Sequence, residues 1–141
     1  DLLRTVAPMP VFAGEKNFNP HYLIIKLSRQ YRFHPVNQCF CLVEYQPDGM
    51  TANIWKQYVN SPRSFAELRR VIMDVPGLTW QYRLKNIIHY CSSSQIAGNK
   101  NYIRESPKKL LTVLCTPAGW VLMEYIRRKA GVQKCPPKLQ S

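Results

Sequence analysis

The polar residues of the range 79–100 include several amides and cations but no carboxylate. The amides of Gln81 and Asn86 can each bond two atoms on the edge of an adenine base. Arg83 or Lys85 can make the equivalent paired contact with guanine. Side chains of these types, if they lie on one surface, could read the sequence of a nucleic acid.

Two helices in close succession are predicted to position these side chains. Residues 64–75 carry apolar side chains at helical spacing, and Ser64 followed by Glu67 is a capping-box pattern. After a Pro-Gly break, a second helix is predicted over residues 79–92. Only a few residues separate the two helices, which is the length that a helix-turn-helix needs.

The helical period divides the side chains of the second helix between two faces. The apolar face, which is expected to be buried, consists of Trp80, Leu84, Ile87, Ile88 and Cys91. The opposite face consists of Gln81, Tyr82, Lys85, Asn86, His89 and Ser93. Its chemistry suits a helix that lies in the major groove of DNA, and the alternative is the solvated side of an ordinary amphipathic helix.

A basic segment follows the second helix. Residues 98–101 are a turn-forming cluster, and residues 110–115 are a short apolar run that predicts a returning strand. The cations of this segment, which are placed to contact phosphate groups, are Lys100, Arg104, Lys108 and Lys109.

The last helix is predicted to begin at Thr116 and Pro117, with threonine as the N-cap and proline in the first helical position. It is expected to end at residues 127–129, whose positive charges suit the negative end of the helix dipole. The alternative is one long helix over residues 107–129. That helix is disfavoured because Pro117 and Gly119 would lie in its interior, at a combined cost of about 4 kcal/mol.

The N-terminal part is predicted to add an irregular arm, a helix and a β-hairpin. Asn19 and Pro20 are typical of a helix start, although a strand over residues 22–27 is an alternative. Aromatic and β-branched runs at residues 39–45 and 52–59 flank a Gln-Pro-Asp-Gly turn, which predicts the hairpin.

These elements predict an α+β protein. Residues 1–59 would form the arm, helix and hairpin, residues 60–131 the main domain, and residues 132–141 a flexible tail. Trp55 and Tyr58 of the hairpin are expected to serve packing, with contact to a ligand as the alternative.

The order of helix, helix, basic loop, short strand and closing helix over residues 61–131 resembles the winged helix-turn-helix superfamily. The Thr-Pro-Ala-Gly segment at residues 116–119 is similar to the step that follows the wing in MarR- and PadR-like regulators. The resemblance implies that the second helix enters the major groove and that the basic loop follows the phosphate backbone. The N-terminal hairpin is not a standard part of those regulators.

The charge balance points to the same kind of partner. The chain of 141 residues has 20 Lys and Arg against 8 Asp and Glu, a net charge of +12. A one-sided basic surface attracts nucleic acid. Duplex DNA is favoured, and RNA is possible through stacking on exposed tyrosines. The alternative is a protein-interaction or assembly module of a larger complex, such as a ribonucleoprotein, with the hairpin contacting a protein partner.

The residues predicted to contact nucleic acid are Gln81, Tyr82, Arg83, Lys85, Asn86, His89, Lys100, Arg104, Lys108 and Lys109. No catalytic, metal or cofactor site is predicted, because carboxylates are scattered, cysteines lack zinc-site spacing and no glycine-rich phosphate loop occurs. The odd number of cysteines indicates a reducing intracellular compartment, nuclear or cytoplasmic, and no membrane partner is expected. The absence of an initiator methionine suggests a fragment or a processed form.

Overall fold

The computed structural model describes residues 2–44 and 53–131, and every regular element within these ranges is an α-helix. The helices are α1 (Leu2–Val6), α2 (His21–Leu27), α3 (Ile54–Asn60), α4 (Pro62–Met73), α5 (Trp80–Ile96), α6 (Tyr102–Glu105) and α7 (Lys109–Lys129). The predicted α+β class is therefore wrong. The described residues contain no strand, and so neither the wing nor the hairpin is present among them.

The predicted hairpin fails at both of its strands. Residues 39–44 are irregular and exposed, and α3 occupies most of the second expected strand. Its turn at residues 46–49, like the tail at residues 132–141, lies outside the described residues. Aromatic and β-branched side chains favour a strand only weakly, and here the ring contacts of Trp55 and Tyr58 hold that segment as a helix against its neighbours.

Helix α5 is the centre of the molecule, because α4 and α7 both pack extensively along it. Helix α3 contacts all three of these helices, and α2 packs against the other side of α4. The side chains of Met73, Ile87, Cys91 and Ile126 are completely or almost completely buried between them. The pairing of α5 with α7 runs antiparallel.

The two consecutive helices predicted at residues 64–75 and 79–92 are confirmed as α4 and α5, but the predicted capping box is wrong. Helix α4 begins at Pro62, so Ser64 lies inside it. The first turn is capped instead by Glu15 of the N-terminal arm. Its carboxylate accepts hydrogen bonds from the backbone N–H groups of Arg63 and Ser64, both at 2.8 Å, and from the Ser64 hydroxyl at 2.6 Å.

The helix predicted after Asn19 and Pro20 is also confirmed, and the Asn19 side chain accepts a hydrogen bond from the His21 N–H at 2.9 Å. An ion pair between Arg29 and Asp74, at 2.9 Å, joins the end of this helix to the end of α4.

The strand at residues 110–115 and the helix start at Thr116 are both wrong, because α7 is one helix of 21 residues with Pro117 inside it. Proline has no N–H to donate to the Val113 carbonyl, and its ring lies on the exposed side of the helix. Packing on the opposite side of the helix offsets the lost hydrogen bond. The residues buried there are Thr112, Cys115, Gly119, Met123 and Ile126. Their spacing forms a continuous helical stripe against α5, and a break at residue 116 would disrupt it.

Glycine at position 119 allows α7 to approach the backbone of α5. A β-carbon built there would overlap the β-carbon of Cys91 and would lie 3.2 Å from the backbone nitrogen of Ser92. Next to this crossing, the Gln95 amide donates to the Thr116 carbonyl at 3.4 Å. Later residues of α5 therefore meet earlier residues of α7, which establishes the antiparallel direction.

We expect Gly119→Ala to lower the free energy of unfolding by about 1–3 kcal/mol, the usual cost of overpacking. Without the steric conflict, the same change in a helix would stabilise the protein by about 1 kcal/mol. Urea denaturation checks the sign, with Ala118→Ser on the exposed neighbour as a control that should stay within about 0.5 kcal/mol. A stabilised Gly119→Ala variant would contradict the close crossing.

The arm-to-helix cap generates a second prediction. Glu15→Ala leaves the N–H groups at the start of α4 without their acceptor, so we expect a loss of about 1–2 kcal/mol. Glu44→Ala removes the same charge from an exposed, irregular segment and should change stability by less than about 0.5 kcal/mol. Equal effects of the two substitutions in chemical denaturation would show that the contact contributes nothing beyond net charge.

Candidate nucleic-acid interface

The structure buries part of the predicted outer face of α5. Asn86 is completely buried, so its predicted position on the outer face is wrong, and Ser93 is buried as well. The Asn86 amide donates to the Tyr82 carbonyl at 2.8 Å and accepts from the Arg69 guanidinium at 2.9 Å. Trp80, which was expected in the core, is 72% exposed. Because α5 packs against α4 and α7 on different sides, its buried surface does not follow the single apolar stripe read from the sequence.

Of the remaining predicted residues, His89 is half-buried against Tyr58, and the others fall into two separate groups. Gln81, Tyr82 and Lys85 are exposed on the first turns of α5, and Arg83 beside them is half-buried. Lys100, Arg104 and Lys109 are exposed beyond the other end of α5, where Lys108 is half-buried. The helix between Lys85 and Ile96 is roughly 16 Å long. The structure therefore does not unite the predicted residues in one site.

A row of aromatic rings joins α4, α3 and α7. The centroids of Phe65 and Tyr58 stack at 4.2 Å, those of Tyr58 and Trp55 lie 6.4 Å apart, and Trp55 meets Tyr125 edge-on at 5.5 Å. The His89 ring stacks on Tyr58 at 6.0 Å. The Tyr58 ring inside the row is buried, whereas Tyr125 at one end is 47% exposed.

One cation lies near the exposed Tyr125, and another lies near His89, which stacks on Tyr58. The ammonium group of Lys129 lies 5.8 Å from the centroid of the Tyr125 ring. Lys85 lies one turn before His89 on α5, and its positive charge helps to lower the pKa of the His89 imidazole. Tyr82 and Lys85 share this face of α5 because they are three positions apart. We call Trp55, Tyr82, Lys85, Tyr125 and Lys129 the aromatic–basic face.

The aromatic–basic face has an uncompensated positive charge. Helices α3 and α5 contain no carboxylate, and Glu124 of α7 pairs with Arg127 at 3.8 Å. Among the described residues, Lys85 and Lys129 form no ion pair within the structure. Their charges are therefore available to an anionic ligand, with aromatic rings beside them.

Burial shifts the pKa values of two groups on α5, His89 and Cys91. Burial of the His89 ring, aided by the charges of Arg69 and Lys85, lowers its pKa to about 4, so the imidazole is neutral near pH 7. Burial also raises the pKa of the Cys91 thiol to about 12, with nearby Cys115 as a smaller cause. A thiol with such a pKa is not a nucleophile. Within the described residues, no group of three or more His, Cys, Asp and Glu side chains could hold a metal ion.

The sequence did not identify Tyr125 and Lys129 as binding residues. The helical period places Tyr125 with the apolar residues of the last helix, and the sequence predicts Lys129 only as a charge at the helix end. The expected packing role of Trp55 is confirmed by its ring contacts with Tyr58 and Tyr125, and the half-buried ring leaves contact with a ligand as a prediction. The available signal was one aromatic residue, Tyr125, close to the three cations at residues 127–129, but the meeting of Tyr125 with α3 depends on tertiary structure.

No family model, no curated protein and no solved structure matches the chain. Across residues 2–44 and 53–131, no helix has the length and apolar character needed to cross a membrane.

The lowered pKa of His89 predicts how stability depends on pH. In the unfolded chain the imidazole has a pKa near 6.5, so between about pH 6.5 and 4 the unfolded state binds a proton that the folded state excludes. Stability should therefore be complete above this window and decrease as the pH falls through it. His89→Phe, which keeps a ring without a charge, should flatten the decrease in thermal denaturation midpoint between pH 7 and 5.

The matched control for this experiment is His34→Phe, at an exposed position. It should retain the pH dependence of the unsubstituted protein. If His89→Phe shows the same pH profile as the control, the acid sensitivity arises from other groups and the neutral-histidine assignment is wrong.

Proposed function

We propose that the protein binds single-stranded nucleic acid, without catalysis, through the aromatic–basic face. The observation that carries this proposal is the exposed Tyr125 ring with the Lys129 ammonium group above it and Trp55 at its edge. Exposed rings beside unpaired cations fit a polymer that alternates aromatic bases with phosphates. The net charge of +12 supports the same ligand class.

Each part of the face has a chemical role in this proposal. The Tyr125 and Tyr82 rings offer surfaces for base stacking, which is independent of base identity. Lys85 and Lys129 neutralise phosphates and make binding dependent on salt concentration. Trp55 fixes the Tyr125 ring by its edge-on contact, so less ring motion is lost when a base stacks.

Single-stranded nucleic acid is favoured over a duplex for a structural reason. A helix that reads the major groove must present side chains along several turns of one exposed face. In α5 only the first turns are exposed, and Asn86, the expected adenine contact, is buried. The absence of a wing in residues 98–115, all of which are described, removes the second element of duplex recognition.

The electrostatic part of the proposal is tested by charge removal. We expect Lys85→Ala and Lys129→Ala each to weaken binding to a single-stranded oligonucleotide and to reduce the slope of log affinity against log salt by about 0.7. Lys100→Ala removes an equal charge beyond the far end of α5 and is the matched control. Titrations by fluorescence anisotropy at several salt concentrations measure both quantities. If all three variants show the same slope, Lys85 and Lys129 contribute no more to binding than any other surface cation, and the proposed face is wrong.

The stacking part is tested separately at Tyr125. Tyr125→Ala should cost about 1–3 kcal/mol of binding free energy, while Tyr125→Phe should bind normally because the ring remains. The control Tyr31→Ala removes a tyrosine of similar exposure, 44%, from outside the face. Stronger binding to a duplex than to the single strand, or equal affinities of Tyr125→Ala and Tyr31→Ala, would overturn the proposal.

A further inference from the structure

Helix α7 exposes a second surface, which is apolar. On its outer side Leu110 is 83% exposed, Leu114 75%, Val121 61% and Trp120 55%. Val113 at the edge of this set is also exposed. Single exposed apolar residues are common on protein surfaces. Several large ones on the same face of a helix instead indicate a surface that binds another molecule or a membrane. We call these five residues the α7 outer face.

The α7 outer face is a straight stripe. Leu110, Leu114 and Val121 recur at helical spacing on the side opposite Gly119, so they point away from α5. The distance along the axis from Leu110 to Val121 is roughly 16 Å. No charged residue occurs between Lys109 and Glu124. The stripe is therefore a convex apolar strip more than two turns long.

Positive charges bound the stripe at both ends. Lys108 and Lys109 precede it, and Arg127, Arg128 and Lys129 follow it. The helical period places Lys109 and Arg127 on one flank of the stripe and Lys129 on the other. Glu124, the one acidic residue of α7, is already paired with Arg127.

We infer that the α7 outer face docks on an anionic membrane surface, with the helix lying parallel to the bilayer plane. An apolar strip that contains tryptophan and is flanked by Lys and Arg has the composition of helices that lie in the interfacial layer of a bilayer. The cations on the flanks can reach phosphate groups while the apolar side chains enter the acyl boundary. The contact is peripheral, since the opposite side of α7 is packed against α5.

Charge and shape decide against two other occupants. Two copies of α7 paired face to face would bring cationic ends together in either orientation, which opposes a dimer through this surface. A partner helix would normally lie in a groove between elements, whereas this strip is the convex side of a single helix. An extended anionic plane fits both the convex shape and the cations at each end.

The experiment uses the whole chain and phosphatidylcholine vesicles with and without phosphatidylserine. We expect cosedimentation with the anionic vesicles, weaker binding at high salt, and little binding to the neutral vesicles. Leu114→Gln should lower the partition coefficient for anionic vesicles by about tenfold or more, because it removes an apolar side chain from the acyl boundary. Leu42→Gln makes the same change at a residue that is 92% exposed and outside α7, and should have no effect.

A second pair of variants isolates the flanking charge. Lys109→Ala should lower binding to the anionic vesicles about fivefold, the contribution of one cation near such a surface. Lys16→Ala, in the exposed N-terminal arm, changes net charge equally and should lower binding by clearly less. Circular dichroism of each variant verifies that the helices remain folded.

Three results would overturn the inference. The first is the absence of binding to phosphatidylserine vesicles, and the second is equal binding to both kinds of vesicle. The third is a concentration-dependent dimer in sedimentation equilibrium that Leu114→Gln dissociates, since a second copy would then cover the face. Equal losses in Leu114→Gln and Leu42→Gln would likewise place the contact elsewhere.

Discussion

The close crossing of α7 over α5 at Gly119 and Cys91 is the contact on which the rest of the structure depends. It brings the two longest helices together backbone to backbone, and this requires a position without a side chain. The crossing fixes which side of α7 faces inward along the whole length of the helix. It consequently decides that Tyr125 meets α3 and that Leu114 and Val121 point outward. A larger residue at position 119 would alter both proposed surfaces by moving one helix.

The central position of α5 explains its unusual content of buried polar residues. A helix packed on two sides needs small or internally bonded side chains where its neighbours come close, and Ser92 and Ser93 meet the first requirement. Asn86 meets the second, since the Arg69 guanidinium and the Tyr82 carbonyl satisfy its amide. Polarity in this segment reflects packing in the interior, which is why polar side chains alone misidentified the exposed face.

Local patterns predicted some elements and failed at others for identifiable physical reasons. Helices α4 and α5 could be predicted because their ends carry Pro and Gly breaks and their apolar residues recur at helical spacing. Helix α7 could not be predicted as one helix. The sequence shows the energetic cost of Pro117 inside a helix, but it does not show the packing of Gly119 against Cys91. The cap on α4 by Glu15 is similarly non-local. In the candidate site, Tyr82 and Lys85 could be predicted, but their association with α3 and α7 required the fold.

The two proposed surfaces of α7 share one group of charges, and this links them. Lys129 belongs to the aromatic–basic face, and Arg127 and Arg128 lie beside the end of the apolar strip, so the three consecutive cations adjoin both proposed surfaces. A phosphate polymer bound at Lys129 would neutralise part of the field that attracts an anionic bilayer. Thermodynamic linkage then requires the bilayer to weaken nucleic-acid binding by the same factor. The shared helix end thus makes the two ligands competitors through charge, and the two surfaces also adjoin, because Tyr125 lies one turn after Val121 on α7.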